Sequence, residues 1–232
     1  SDLHSAVKKA DLREITQFFT PASSPDGLIS STLYGVPELY QQSLVNESPI
    51  LLALAKAYNV SSQVYVEDMP VNEYDFPAIA FSDTLSSDKS LNIVFATGET
   101  ISSLMNSQDV TKGLVLVASG YGTSRGSLYT NLPVTAKLAS NEDLTPTLLN
   151  ALGCGADVNF YSTGQNLLEP KRDWLVSTSG EKIIVIYGDQ RIEVLSNGSY
   201  DITQISSDMR SDEALNVDLL SRAIKHLTRF KL

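Results

Sequence analysis

Apolar positions recur at helical spacing in some parts of the chain and at strand spacing in others. Leu3, Val7, Ala10, Ile15 and Phe18 fall near a period of 3.6, which predicts a helix over residues 3–19. TPASSPDG follows, a loop by its Pro, Ser and Gly content. The apolar residues within 27–34 predict a short helix, and SPILLALAKAY at 48–58 a stronger one. In the latter, Ser48 is placed as N-cap and Pro49 at the first helical position. Gln63–Val66, Ala78–Phe81, Asn92–Ala96 and Leu114–Ala118 read as strands, with GETISSLMNSQ as a helix between the last two. DLTPTLLNAL at 143–152 reads as a helix that tolerates Pro146 in its first turn and ends at Gly153.

The pattern changes after residue 160. WLVSTS, KIIVIY and RIEVLS are short β runs, the last two joined through Gly188-Asp189-Gln190 by a three- or four-residue hairpin, and NGSYDIT adds a turn and a strand. A final helix is expected over 212–229. Leu215, Leu219, Ala223 and Leu227 would share its inner face, and Arg222, Lys225 and Arg229 complement the dipole at its end. Strands alternating with helices predict an α/β core, with a mainly parallel sheet covered on both faces, over residues 1–160. Residues 161–232 are expected to add an antiparallel meander and a closing helix, packed on that core as one unit.

Composition narrows the function. The 232 residues are 42% hydrophobic and 19% charged, enough to bury a core. Net charge is −10 and the pI about 4.6, which argues against sequence-independent nucleic-acid binding, since that needs a basic face. Cys154 is the single cysteine, so no intrachain disulfide forms. No apolar run approaches a membrane span, and SDLHSAVKKADL is not a signal peptide. The sequence opens abruptly in a helical pattern, so the expectation is a domain excised from a longer protein.

The stretch GLVLVASGYGTSRG, residues 113–126, runs from a buried strand into a turn with Gly120, Gly122 and Gly126. The spacing is GxGxxxG with no helix start after it, which argues against a dinucleotide site, and no Gly-Lys-Ser/Thr follows as a phosphate loop requires. His4 and His226 are the two histidines, one near each end, each on an expected amphipathic helix; a Ser–His–Asp triad lacks its base. Carboxylates pair at Glu67-Asp68, Glu142-Asp143 and Asp212-Glu213. Asp143 and Asp212 stand at expected helix starts, where capping explains them, while Glu67-Asp68 follows a strand, as a solvated loop or a cleft edge. Lys171-Arg172 before Trp174 reads as a snorkelling surface cluster that could also meet an anionic headgroup.

Several pieces together resemble the sulfatase/alkaline-phosphatase superfamily: SSPDGLISSTLYGVPELY, GLVLVASGYG, NLPVTAKLASNEDLTPTLLNALGC and the tail from Tyr161 to Thr203. More closely, LYGVP, DLTPTLL, STGQNLLEP…RDWLVST and the final DLLSRAIKHLTRF resemble the periplasmic domain of YejM (PbgA)-type inner-membrane proteins. The resemblance implies a three-layer sulfatase-like core, reduced and lacking the superfamily's first strand. It places Ser24 at or next to the nucleophile position, with Ser23 and Asp26 beside it. The superfamily's Asp-His-Gly metal motif would fall on Ser119-Gly120-Tyr121, so Ser119 and Gly120 replace two metal ligands. A later histidine is also missing, in a region that holds Ser127 and Tyr129.

What the resemblance implies is a non-catalytic periplasmic domain that binds a lipid or glycan headgroup or an envelope protein, in lipopolysaccharide regulation. No cofactor is expected, and the membrane is reached through a segment outside this sequence. Ser23, Asp26, Ser119, Tyr121, Lys171 and Arg172 are the candidate binding residues, and Ser24 a vestigial nucleophile. The competing expectation is a metal-dependent sulfatase or phosphoesterase, with Ser24 as nucleophile and Asp26, Asp83, Glu67 or Asp68 around a divalent metal. A purely structural spacer or dimerising domain is the third.

Overall fold

A computed structural model describes residues 5, 8, 11–107, 114–119 and 125–231, without the side chains of residues 98, 99, 105–107 and 114–119. Ser5 and Lys8 are helical, but Arg13–Phe19 is a strand, β1, and not the continuation of a helix. The register slips between Ile15 and Phe18, where three steps along β1 match two along its partner. Such a bulge breaks the two-residue alternation and lets positions three apart face the same side, which mimics helical spacing.

The chain continues through helix α1 (Pro25–Tyr34) and short helical turns at Glu38–Tyr40 and Gln41–Leu44. Then come α2 (Ile50–Ala57), β2 (Ser62–Glu67), β3 (Leu91–Ala96), α3 (Gly98–Ser107), β4 (Leu114–Ser119), β5 (Gly126–Thr130), β6 (Ala139–Ser140) and α4 (Leu144–Ala151). One sheet holds the order β2-β3-β4-β5-β1-β6. β2, β3 and β4 run parallel, β5 is antiparallel to both β4 and β1, and β1 runs parallel to β6. Every residue of β3 is buried, as expected of a parallel strand covered on both faces. Leu91, Ile93 and Phe95 join the main core with α1 and α2, while Val94 and Ala96 face a second cluster with Ile101 and Leu104 of α3.

A second sheet, in the order β10-β9-β8-β7, is fully antiparallel: β7 (Trp174–Ser179), β8 (Lys182–Tyr187), β9 (Gln190–Val194) and β10 (Tyr200–Gln204). One face sets Leu175, Ile184 and Ile186 against Phe19 of β1. The other sets Val176, Val185, Ile192 and Ile202 against Leu219, Ala223 and Leu227 of helix α5 (Val217–Leu227).

Several boundaries differ from the sequence reading. Ala78–Phe81 is not a strand; only Phe81 makes a bridge, to Val64. α2 begins one residue late, with Pro49 as its N-cap in place of Ser48. Tyr187 pairs with Gln190, so the hairpin turns through Gly188 and Asp189 alone, and Gly188 takes the positive φ such a turn requires. α5 starts at Val217, capped by the Asn216 side chain, and not at Asp212. Glu213 instead accepts a hydrogen bond from Gln190.

Candidate functional site

Strand β1 delivers the chain to Ser24 at the head of α1. The Ser24 hydroxyl accepts from Gly27 N at 3.0 Å, and Pro25 occupies the first turn, where its missing N–H costs nothing. Both oxygens of Glu38 accept from Ser23 N, at 3.0 and 3.1 Å, and the Ser23 hydroxyl donates to one of them at 3.2 Å. Gly180 N, in the β7–β8 turn, donates to the same carboxylate at 2.5 Å. A β-carbon on Gly27 would lie 2.0 Å from Glu38 Oε2, so this carboxylate lies flush against the first turn of α1.

Asp26 takes a long 3.4 Å hydrogen bond from Asn72 N, and Asn72 donates to Asp75 at 3.0 Å. Burial pushes the Asp26 carboxyl up; the Asn72 N–H opposes this and the charge of Asp75 adds to it. Carboxylates therefore gather at this end of α1. No group of three or more His, Cys, Asp or Glu is arranged to hold a metal among the described residues. Glu67, at the end of β2, is hydrogen-bonded to Tyr65, while Asp68 and Asp83 are exposed. Ser119 ends β4 opposite Ser127. Gly120 and Tyr121 lie outside the described residues.

The other end of α1 carries a denser polar network. Gly35 closes the helix in the left-handed conformation, and its carbonyl accepts from Thr163 N at 3.0 Å. Around it Glu142 and Asp143 are buried, at 1% and 0% exposure. Asp143 accepts from Ser140 N at 2.7 Å, in a capping box on the turn before α4, and from Gln165 N at 2.8 Å from across the fold. It also accepts from Arg172 Nη2 at 2.6 Å. Burial pushes the Asp143 carboxyl up, while Arg172 and the two backbone N–H groups pull against it. Glu142 accepts from Ser177 at 2.5 Å and from Ser140 at 3.2 Å. Burial drives its carboxyl up to about 7; the Ser177 hydrogen bond resists, and the charge of Asp143 adds to the rise.

Arg172 is therefore not half of a surface patch. Its other amino group donates to Thr163 O at 2.7 Å, whereas Lys171 next to it is exposed. His226 shares that carbonyl, with Nε2 2.7 Å from Thr163 O and Nδ1 3.2 Å from Arg229. Because a carbonyl and a guanidinium flank the two ring nitrogens, Nε2 donates and Nδ1 accepts in the neutral ring. Burial lowers His226 to about 4, with Arg229 and Arg172 adding repulsion of the protonated form. Trp174 packs edge-to-face on this ring at 5.2 Å.

The sequence groups Ser23, Asp26, Ser119, Tyr121, Lys171 and Arg172 as candidate binding residues, but Ser23 and Asp26 lie at the Ser24 end of α1 and Arg172 at its Gly35 end. That reading gives no role to Glu38 or Asn72, whose approach depends on loops meeting across the fold, and no local signal marks them. The Asp143–Arg172 pair spans 29 residues and has no sequence signature either.

The mixed, mainly parallel sheet and its helices, with the antiparallel meander, together form an alkaline-phosphatase/sulfatase-like fold. The chain is similar over 98% of its length to a protein in the alkaline phosphatase superfamily from Vibrio parahaemolyticus, covering 79% of that chain at 12% identity and a TM-score of 0.65. It is also similar to Ps i-CgsB in complex with k-i-k-neocarrahexaose, over 94% of this chain and 84% of that one, at 8% identity and a TM-score of 0.53. No protein-family model matches the sequence, and no curated protein matches it.

Proposed function

We propose that this chain is a sulfatase-fold binding domain without hydrolytic chemistry. It belongs to the periplasmic part of a YejM-type inner-membrane protein, and it binds a lipid or glycan headgroup or an envelope protein in lipopolysaccharide regulation. The observation that carries this reading is the state of the Ser24 end of α1. The hydroxyl is used as a helix cap, and the carboxylate of Glu38 lies against the same turn. The family resemblance aligns Ser119 and Gly120 with an aspartate and a histidine of active superfamily members. The donors beside Ser24 are Asp26, which burial and the charge of Asp75 push toward protonation, and Glu38, which backbone N–H groups already hold. Among the described residues that donor set forms no group of three ligands for a catalytic dication, and so offers the seryl oxygen no activator.

Elemental analysis of the purified protein, calorimetric titration with zinc, manganese and magnesium, and assays of p-nitrophenyl phosphate and sulfate hydrolysis test this reading together. The expected result is no tightly bound ion and no hydrolysis that depends on Ser24. A stoichiometric ion, with hydrolysis abolished by Ser24→Ala, would overturn it. One observation favours the competing reading of a metal-dependent sulfatase or phosphoesterase: Ser24 does head a helix, where an anion is welcome, and Asp26 and Asp75 lie nearby.

A further inference from the structure

At the far end of α1 from Ser24, a cleft of about 570 Å³ opens between the end of α4, the 154–172 loops and α5. Its volume falls in the range of small-molecule sites, roughly 300–1,000 Å³. The ten residues of α1 separate it from Ser24 by about 15 Å, at 1.5 Å per residue.

The chemistry of its walls selects a ligand class. Four neutral amides line it, from Asn150, Asn159, Gln165 and Asn166, together with the aromatic rings of Tyr161 and Trp174, and Asn159 Oδ1 already accepts from Arg229 at 3.0 Å. Asn150 is exposed with its amide free, and Asn166 uses only its Oδ1, accepting from Leu168 N at 3.0 Å. Gln165 is 8% exposed; its amino group donates to Leu138 O at 3.2 Å, while its buried Oε1 has no partner. The buried Nε of Arg172 also has none. Both atoms lie beneath the cleft surface, so the amides left to meet a ligand are those of Asn150 and Asn166, which give and receive hydrogen bonds as hydroxyl groups do.

Charge points the same way. Lys171 and Arg172 line the cleft, but so do Asp157 and Glu169, and Arg172 is already paired with Asp143. With two cations and two carboxylates, the lining has no net positive charge to select an anion. Amides for hydroxyl groups, and rings for the apolar face of a pyranose, are the complement of an uncharged sugar.

We propose that this cleft is a carbohydrate-binding site for one or two uncharged sugar rings. The proposal rests on the reading of the chain as a binding domain, and it names a ligand class and a place distinct from Ser24. Trp174 is the single tryptophan of the chain and lines the cleft, so its fluorescence reports occupancy directly. The experiment titrates the full chain with cellobiose, maltose, lactose and N,N′-diacetylchitobiose, with inorganic phosphate and sodium glucuronate for comparison.

The expected result is a saturable change in Trp174 emission with at least one neutral disaccharide. It should be weakened at least tenfold in Asn150→Ala/Asn166→Ala and unchanged in Ser24→Ala. Neither asparagine is in the core, and a matching circular dichroism spectrum shows that the double variant is folded. Silence with all four disaccharides, a response confined to the two anions, or a response that survives the double substitution would each overturn the proposal. A metal-dependent, Ser24-dependent hydrolysis would sink the binding-domain reading while leaving this titration unaffected, so the two failures are distinguishable.

Discussion

The guanidinium of Arg172 lies 2.6 Å from Oδ1 of Asp143, with the carboxylate side chain fully buried and the arginine 14% exposed. This pair ties the start of α4 to the strap that leads into β7, and so joins the two sheets through one buried contact. Removing one partner of such a pair strands the other charge, which costs about 3–5 kcal/mol. Arg172→Met should therefore lower stability by about that amount in urea unfolding. Arg172→Met/Asp143→Leu should cost less than the sum of the two single changes, since neither charge is then left alone.

Glu142 gives a pH signature. Its folded value of about 7 stands above the ordinary 4.5, so between these two values the folded chain keeps a proton that the unfolded chain releases. Its contribution is complete below about 4.5 and is lost as pH rises to 7, by at most about 3 kcal/mol at 1.36 kcal/mol per unit. Glu142→Gln should gain stability over the parent chain at pH 8 and lose that advantage at pH 5, measured as urea midpoints.

His226 acts in the opposite sense. Its folded value of about 4 lies below the ordinary 6.5, so its contribution is present above 6.5 and is lost as pH falls toward 4. Between pH 4.5 and 6.5 the two groups offset each other in the parent chain. Glu142→Gln should therefore expose a steeper acid loss, and adding His226→Gln should flatten it, both read from thermal midpoints across that range.

Gly164 and Gly27 should respond differently to alanine. A β-carbon on Gly164 would meet the backbone of Glu142 at 2.3 Å and Asp143 Cα at 2.9 Å, neither of which can move aside cheaply. Gly164→Ala should cost at least the 1–3 kcal/mol typical of overpacking. At Gly27 the obstacle is the Glu38 carboxylate, the end of a flexible side chain. Gly27→Ala should fold, with a smaller loss and weaker hydrogen-exchange protection at the Gly180 amide that Glu38 now accepts from.

Ser24→Ala separates capping from chemistry. Loss of the hydrogen bond from Gly27 N should cost about 1 kcal/mol. The measurement is the unfolding midpoint, with the folded spectrum unchanged.

The sequence by itself determined those elements whose signals are local. The strands of the meander, the inner face of α5, the Ser24 loop ahead of a helix and the cap formed by Asp143 all depend on residues within a few positions of one another. Tertiary structure decided the rest. β1 reads as helix because a bulge between Ile15 and Phe18 puts residues three apart on the same side, and only its place between β5 and β6 makes it a strand. Arg172 reads as a surface cation because nothing near it in sequence is its partner; Asp143 reaches it only once the second sheet has docked on the first. Glu38 likewise meets Ser23 and Gly180 across separations of 15 and 142 residues, where no periodicity survives. Hydrophobic spacing records which face of an element is buried. It carries no record of which distant polar group will be waiting there, because that is fixed by packing and by the cost of leaving a buried charge or N–H unpaired.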